Sequence, residues 1–290
     1  MYNLKITIRR LLKDKTFLLI NVFGLVIGIT SFLVLFIHVS NEKSFDKHIV
    51  GHENIYRVCS APKGNPSKEA RSMGIVYSFS SEIPEVELAT QFIHSPVGTI
   101  KIGDNSFQQN DILWVDEAFI EMFEVKAKEG NSLELEKPNT VFISEDFARK
   151  HYGNINPVGQ IIKFEADQYR NNIGDYEVRG IVKNTHPKTH FKYELLLSQK
   201  GNSQNVFEEL PNYKYVWAYN YFKLKKGASP ELVAKKLTAL WDKSALKQKT
   251  GPKEYDFPLF PMDDIHLRSD FRFELRESSS KINISLFIIV

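Results

Sequence analysis

The sequence predicts an α+β chain, with an N-terminal transmembrane helix followed by a mixed α/β extracytoplasmic domain. Three observations carry that expectation. Residues Phe17 to Val39 form an uncharged run of 23 residues. Basic residues crowd in front of that run and are balanced by acids behind it. Beyond it, short apolar or alternating stretches bounded by Gly, Pro, Asn and Asp outnumber long helical periods.

As a helix the uncharged run would be about 35 Å long, enough to cross the hydrocarbon core of a bilayer with some tilt. In water it would expose an apolar surface on every side. Ahead of it stand Lys5, Arg9, Arg10, Lys13 and Lys15 against one acid, Asp14. Behind it Glu42, Lys43, Asp46 and Lys47 cancel. An excess of Lys and Arg on one short flank marks the cytoplasmic side, so residues 1–16 are expected inside and the rest exported. Leu4, Ile8, Leu11 and Leu12 also suit a helix lying in the cytoplasmic interface. A cleaved signal peptide fits less well, because the run spans full bilayer width and Ile37 to Glu42 offers no small-residue cleavage site.

The 251 residues after the run hold 33 bases and 34 acids, so the net charge of +3 belongs to the N-terminus. A near-neutral exported region argues against nucleic acid as a partner, and the N-terminal bases suit membrane lipids. Cys59 is the only cysteine, so no intrachain disulfide forms, and its apolar surroundings Ile55 to Val58 read as core. After the polar stretch Glu277 to Lys281, Ile282 to Val290 reads as the first half of a second span.

Within the exported region the membrane helix is expected to continue through Ile49 until Gly51. Ile55 to Ser60 reads as a strand, Pro62 to Ser72 as a loop, and Met73 to Ile83 as a helix stopped by Pro84. Val86 to His94 and Val97 to Ile102 read as two strands, turned by Asp104-Asn105 into Phe107 to Val115. Asp116 caps a short helix through Phe123, and Ser144 caps a helix to Tyr152 after the strand Thr140 to Ile143, with Gly153 past its end. Pro157-Val158-Gly159 turns into the strand Gln160 to Phe164. Tyr176 to Lys183, Phe191 to Leu197 and Tyr215 to Lys225 are further strands. Ser229 and Pro230 open the clearest helix, with Leu232, Val233, Leu237, Leu240 and Trp241 on one face. Tyr255 to Met262 closes as a strand.

Several segments together resemble the N-terminal portion of ABC-transporter permeases of the MacB/FtsX type. They are Asn21-Val22-Phe23-Gly24-Leu25-Val26-Ile27-Gly28, Glu42 to Lys47, and Glu53 to Val58. Val141 to Ala148, Tyr152-Gly153 with Asn156 to Gly159, Tyr176 to Val182, and Met262 to Ser269 complete the set. The resemblance implies an inner-membrane permease subunit with four spans, a MacB-like periplasmic core domain between spans one and two, and a cytoplasmic ABC ATPase as partner. It also implies a second permease protomer, periplasmic or outer-membrane partners, and mechanotransmission driven by ATP. The domain would cover residues 40–281 and carry an inserted β-rich subdomain. By the same analogy residues 43–100 and 215–280 form the membrane-proximal part and 105–212 the distal one. Spans three and four are absent from this sequence. No GxxxxGK[ST] loop occurs, so ATP, the cofactor of such systems, belongs to the separate subunit and none is expected in this chain.

No catalytic or metal-binding set is expected, and the chain is read as no enzyme. His48 and His52, and His186 and His190, are spaced i, i+4, but Gly51 and Pro187 interrupt them and no third ligand is evident. Ser144 lacks the glycines of a nucleophile elbow. Asp263-Asp264 and Glu208-Glu209 read as solvated charges, and Tyr213, Tyr215, Trp217, Tyr219 and Tyr221 as a core stripe. A two-span sensor with an exported ligand-binding domain is the alternative to the permease. Within the first span Asn21, Gly24, Gly28 and Ser31 share one face, where small residues admit another helix closely. Replacing Gly28 by Leu should therefore weaken helix association in a membrane dimerisation assay, and unchanged association would discard this face as a packing surface.

Overall fold

The computed structural model describes residues 15–64, 67–167, 171–200, 217–244, 247 and 254–276. Two compact units divide the chain, one holding the apolar helix and the other formed by Phe45–Ser278. Helix α1 (Lys15–Glu42) has 28 residues, no buried residue, and a mean hydropathy of 2.5 over its most apolar window. It is long and apolar enough to cross a membrane. It does not continue to Ile49 as expected. Asp46 adopts a left-handed φ of 61° and donates its N–H to the Lys188 carbonyl (2.9 Å), which ends the helical course.

Phe45–Ser278 is built on one sheet of eleven strands. A 3₁₀ turn (His52–Asn54) leads into β1 (Ile55–Val58), β2 (Ala61–Pro62), β3 (Ser72–Met73) and the short helix α2 (Ile75–Ser78). Then come β4 (Val86–Ile102), β5 (Asn105–Val115), α3 (Glu117–Met122), β6 (Ala127–Glu129), β7 (Thr140–Ser144) and α4 (Glu145–Tyr152). The rest is β8 (Ile161–Asp167), β9 (Asn171–Val182), β10 (Leu195–Ser198), β11 (Trp217–Leu224), α5 (Pro230–Lys243), β12 (Tyr255–Asp256), β13 (Leu259–Pro261) and α6 (Met262–Arg268). The two strands expected around Pro96 are one strand, β4. Ser95 and Val97 keep their partners Ile112 and Asn110 on β5. Opposite Pro96, which has no N–H to offer, Asp111 turns to φ 55° and gives its carbonyl to the Glu194 N–H instead (2.8 Å). The hairpin after β4 turns at Gly103-Asp104, one residue earlier than expected, because Gly103 supplies the positive φ of 57°.

The strand pairing has two regions. β13, β1, β11 and the first half of β4 form an antiparallel sheet. The second half of β4 joins β5, β10, β7, β9 and β8 in a hydrogen-bonded circuit, which closes because β8 pairs with both β9 and β4. β4 is therefore common to both regions. The single strand expected over Tyr255 to Met262 is instead β12, β13 and α6. Pro258 lies in the gap between β12 and β13, Pro261 ends β13 opposite Tyr56, and Met262 and Ile265 turn one face of α6 inward.

Three cores flank these strands. Along β5, Leu113 and Val115 enter a central core, while Ile112 and Trp114 enter the core of the closed circuit. Leu196 and Phe142 face the central core, and Leu195, Leu197, Val141 and Ile143 the other. β11 likewise sends Tyr219 and Tyr221 to the central core and Phe222 and Leu224 to a third, under α5. In α5, Val233, Leu237 and Trp241 are buried, whereas Leu232 is 46% exposed, which narrows the expected face. Cys59 is buried, as expected.

Asp116 fastens β4 to α3. Its Oδ1 accepts from Thr90 Oγ1 (2.5 Å) and the Phe119 N–H (2.9 Å), and its Oδ2 from the Gln91 N–H (3.4 Å). Burial pushes its pKa up to about 6, against the opposing pull of those donors. A carboxyl with a higher pKa in the fold than in the unfolded chain favours folding when protonated. That contribution is complete below the ordinary value of 3.8 and is lost as pH rises through about 6. Asp116→Asn retains a good helix cap. It should flatten the fall in stability across this window in urea unfolding, and an unaltered pH profile would show that Asp116 does not titrate there.

Candidate functional site

The chain leaves the apolar helix at Glu42 and enters the folded unit at Phe45. The segment from Phe45 to Arg57 and the segment from Met262 to Arg276 are bound to each other and to the 186–190 loop. Phe45 stacks on His266 with ring centroids 3.4 Å apart and planes 5° from parallel. His52 Nδ1 lies 2.7 Å from Asp263 Oδ1. Arg276 donates to the Thr189 carbonyl at 2.7 Å. Asp263, read from sequence as an ordinary solvated charge, is thus half-buried and paired with an imidazole.

Asp46 and His190 are almost fully buried and pair at 2.9 Å. The other imidazole nitrogen, Nε2, lies 2.7 Å from the Tyr221 hydroxyl, and the His190 N–H donates to Asp46 Oδ1 (3.2 Å). Burial pushes the Tyr221 phenol well above its usual value, so it remains protonated at neutral pH. A line of polar groups therefore runs from the first residues of the unit to β11, the middle of the first sheet.

The strongest link is Arg57, which is completely buried on β1. Its two terminal nitrogens donate to Glu274 Oε2 (2.7 Å) and Oε1 (2.6 Å), and one also to Ser269 Oγ (3.1 Å). Ser269 Oγ donates to the same Glu274 carboxylate. The guanidinium carbon lies 6.0 and 5.8 Å from the ring centroids of Phe260 and Phe271, which pack edge to face against each other 4.8 Å apart. Bidentate geometry and aromatic faces compensate a charge that burial alone would expel. The signal in the sequence was a single charge amid Ile55-Tyr56-Arg57-Val58-Cys59, but its partner is 217 residues away.

The histidine pairs of the sequence are exchanged rather than used together. His48 stacks on His186, with centroids 4.0 Å apart, while His52 goes to Asp263 and His190 to Asp46. Burial and the facing His186 hold His48 below its ordinary pKa. Among the described residues no group of three or more His, Cys, Asp or Glu side chains is placed to hold a metal ion. Ser144 Oγ accepts from the Phe147 N–H (3.1 Å), the helix cap expected of it. Tyr219 and Tyr221 stack on Phe92 in the central core, with centroids 5.3 and 5.7 Å away, whereas Tyr213 and Tyr215 lie outside the described residues. Asn21, Gly24, Gly28 and Ser31 are exposed on α1, and a Cβ added at either glycine would meet nothing within 4 Å. Lys15 opens α1. Lys5, Arg9, Arg10 and Lys13, like Glu208-Glu209 and Ile282 to Val290, lie outside the described residues.

An apolar helix of membrane-crossing length leading into a strand-rich domain, with the domain's two ends clasped together, defines a membrane-anchored domain. Residues 18–240 match the MacB-like periplasmic core domain, and the chain belongs to that family, the extracytoplasmic domain of ABC-transporter-type permeases. No curated protein matches the chain significantly. Among solved structures, a domain assigned to a permease protein from Porphyromonas gingivalis is similar with a TM-score of 0.59 at 20% identity. That match covers 79% of this chain and 100% of the other. The periplasmic region of MacB from Actinobacillus actinomycetemcomitans is similar with a TM-score of 0.50 at 16% identity, covering 76% and 92%. At these identities the likeness is one of fold.

Breaking a buried ion pair by removing one partner leaves the other charged and unsolvated, at a cost of about 3–5 kcal/mol. Glu274→Ala should therefore lower the midpoint of thermal unfolding by roughly 6–20 °C for a domain of this size. The double replacement Arg57→Met with Glu274→Leu should recover much of that loss. A Glu274→Ala midpoint equal to that of the native protein would show that the pair is not formed.

Proposed function

We propose that this chain is a permease subunit that carries ATP-driven movement from a cytoplasmic ATPase to its extracytoplasmic domain, for export or efflux. The observation that supports this reading is the clasp. Displacement of the segment at Phe45 or of the segment at Arg276 would be passed to β1 and β11 through Arg57–Glu274 and Asp46–His190–Tyr221, and from β11 to β4. A flexible tether would serve a passive anchor equally well. The buried Arg57–Glu274 ion pair and the buried Asp46–His190–Tyr221 contacts serve a moving part better.

In this reading the N-terminus, with Lys5, Arg9, Arg10, Lys13 and Lys15, is cytoplasmic and α1 lies in the inner membrane. Asn21, Gly24, Gly28 and Ser31 face another span or a second protomer. Residues 40–281 form the exported domain, with 43–100 and 215–280 nearer the membrane and 105–212 distal. ATP is bound by the partner subunit.

The test uses the full-length permease copurified with its ATPase. Nucleotide binding should change amide exchange in residues 45–58 and 262–276. Glu274→Gln should retain ATP hydrolysis but lose that change in β1. Exchange indifferent to nucleotide, or the copurification of a signalling partner in place of an ATPase, would overturn the reading in favour of a two-span sensor.

A further inference from the structure

Next to the clasp lies a group of cations set against aromatic rings. Arg71 places its guanidinium carbon 3.7 Å from the ring centroid of Phe273 and 5.7 Å from that of Trp217. Arg272 covers the same Phe273 ring at 5.1 Å, and Lys68 Nζ lies 5.7 Å from the ring of Phe271. Among the described residues no ion pair joins Lys68, Arg71 or Arg272 to an acid. Of the neighbouring acids, Glu274 is held by Arg57 and Ser269.

The group is built rather than incidental. The Arg272 N–H donates to the Lys68 carbonyl, and the Ala70 N–H to the Arg272 carbonyl, both at 2.9 Å, so the two segments form one rigid edge. Phe273 holds a left-handed φ of 63°, a strained conformation for an aromatic residue, while its carbonyl accepts from the Tyr219 hydroxyl (2.7 Å). Phe273 is 42% exposed, with two guanidinium groups within reach of its ring. The Nε of Arg71 is buried and unpartnered.

We propose that Lys68, Arg71 and Arg272, with Phe273 and Trp217, form a surface that rests on anionic lipid headgroups. Phe273 is three residues from Arg276, within about 10 Å along the chain. Arg276 binds the loop that also receives Asp46 and His48, a few residues past the end of the apolar helix. The surface is therefore carried on segments bound to the first residues that follow the apolar helix along the chain. Guanidinium groups accept phosphate oxygens as partners, and aromatic rings favour the headgroup level. The proposal stands whether or not an ATPase drives the chain.

Trp217 supplies a native probe, because Trp114 and Trp241 are only 4% and 1% exposed. The full chain would be reconstituted in phosphatidylcholine vesicles carrying a headgroup spin label, with or without phosphatidylglycerol. Tryptophan quenching should appear with phosphatidylglycerol, fall at high salt, and weaken about fivefold for each cation removed in Arg71→Gln and Arg272→Gln. Lys68→Glu changes an exposed side chain and keeps the test valid if the arginine variants do not fold. Equal quenching in both vesicles, or none in either, would overturn the proposal, the latter pointing to an acidic protein partner. Reversal by inorganic phosphate at constant ionic strength would overturn it in favour of a free-phosphate site.

Discussion

The backbone ladder of β4 is the constraint on which the extracytoplasmic domain depends. Its 17 residues extend about 55 Å. Along the first half β4 is hydrogen-bonded to β11, along the second to β8, and along nearly all of its length beyond Leu88 it runs beside β5 or β11. Two regions that could have been joined by a linker are instead parts of one sheet. A linker would let them move independently, whereas a shared strand makes rotation of one the rotation of the other. The interruption at Pro96 does not weaken this, because the pairs on either side of it keep register and the displaced carbonyl of Asp111 finds a donor on the chain entering β10.

A strand with a core on each of its faces must be apolar on both, and the side chains follow from that. β5, β7 and β10 alternate strictly between the central core and the core of the closed circuit, so Ile112 to Val115, Val141 to Ile143 and Leu195 to Leu197 are continuous apolar runs. Phe92 occupies the middle of the central core, in ring contact with Phe119, Phe123, Phe191, Tyr219 and Tyr221. These rings come from β4, from α3 and the residue after it, from the segment before β10, and from β11. The lines of polar contact from Asp46 and the aromatic packing around Phe92 meet at Tyr221, which is at once a hydrogen-bond partner and a core ring.

What could be read from the sequence is what is decided locally. The apolar run became α1, and the caps at Asp116, Ser144 and Ser229 each accept the N–H three residues on. The resemblance in ordered short segments led to the family that residues 18–240 match. What was misread depends on distant partners. Pro96 signals a break unless Asp111 is known to lie opposite it. Tyr255 to Met262 has the composition of a strand, and only packing against the central core turns Met262 to Arg268 into a helix. Asp263 looks solvated until His52 is placed beside it, and Glu274 carries no mark of its bond to Arg57. The clasp is made of such pairs, so sequence alone showed its components and not its existence.

That the clasp is ionic where it could have been apolar has a mechanical consequence. A hydrophobic contact weakens gradually as surfaces slide, because its energy follows the area removed from water. A bidentate arginine–carboxylate pair in a buried site is satisfied in one geometry, and partial separation leaves both charges without water or partner. Arg57 and Glu274 therefore hold the two ends of the domain in one register or release them altogether. Phe260 and Phe271, packed against each other beside the guanidinium, sharpen this by helping to keep the buried pair from water. On the function proposed for the chain, such a joint transmits displacement without absorbing it, up to the load at which the pair breaks.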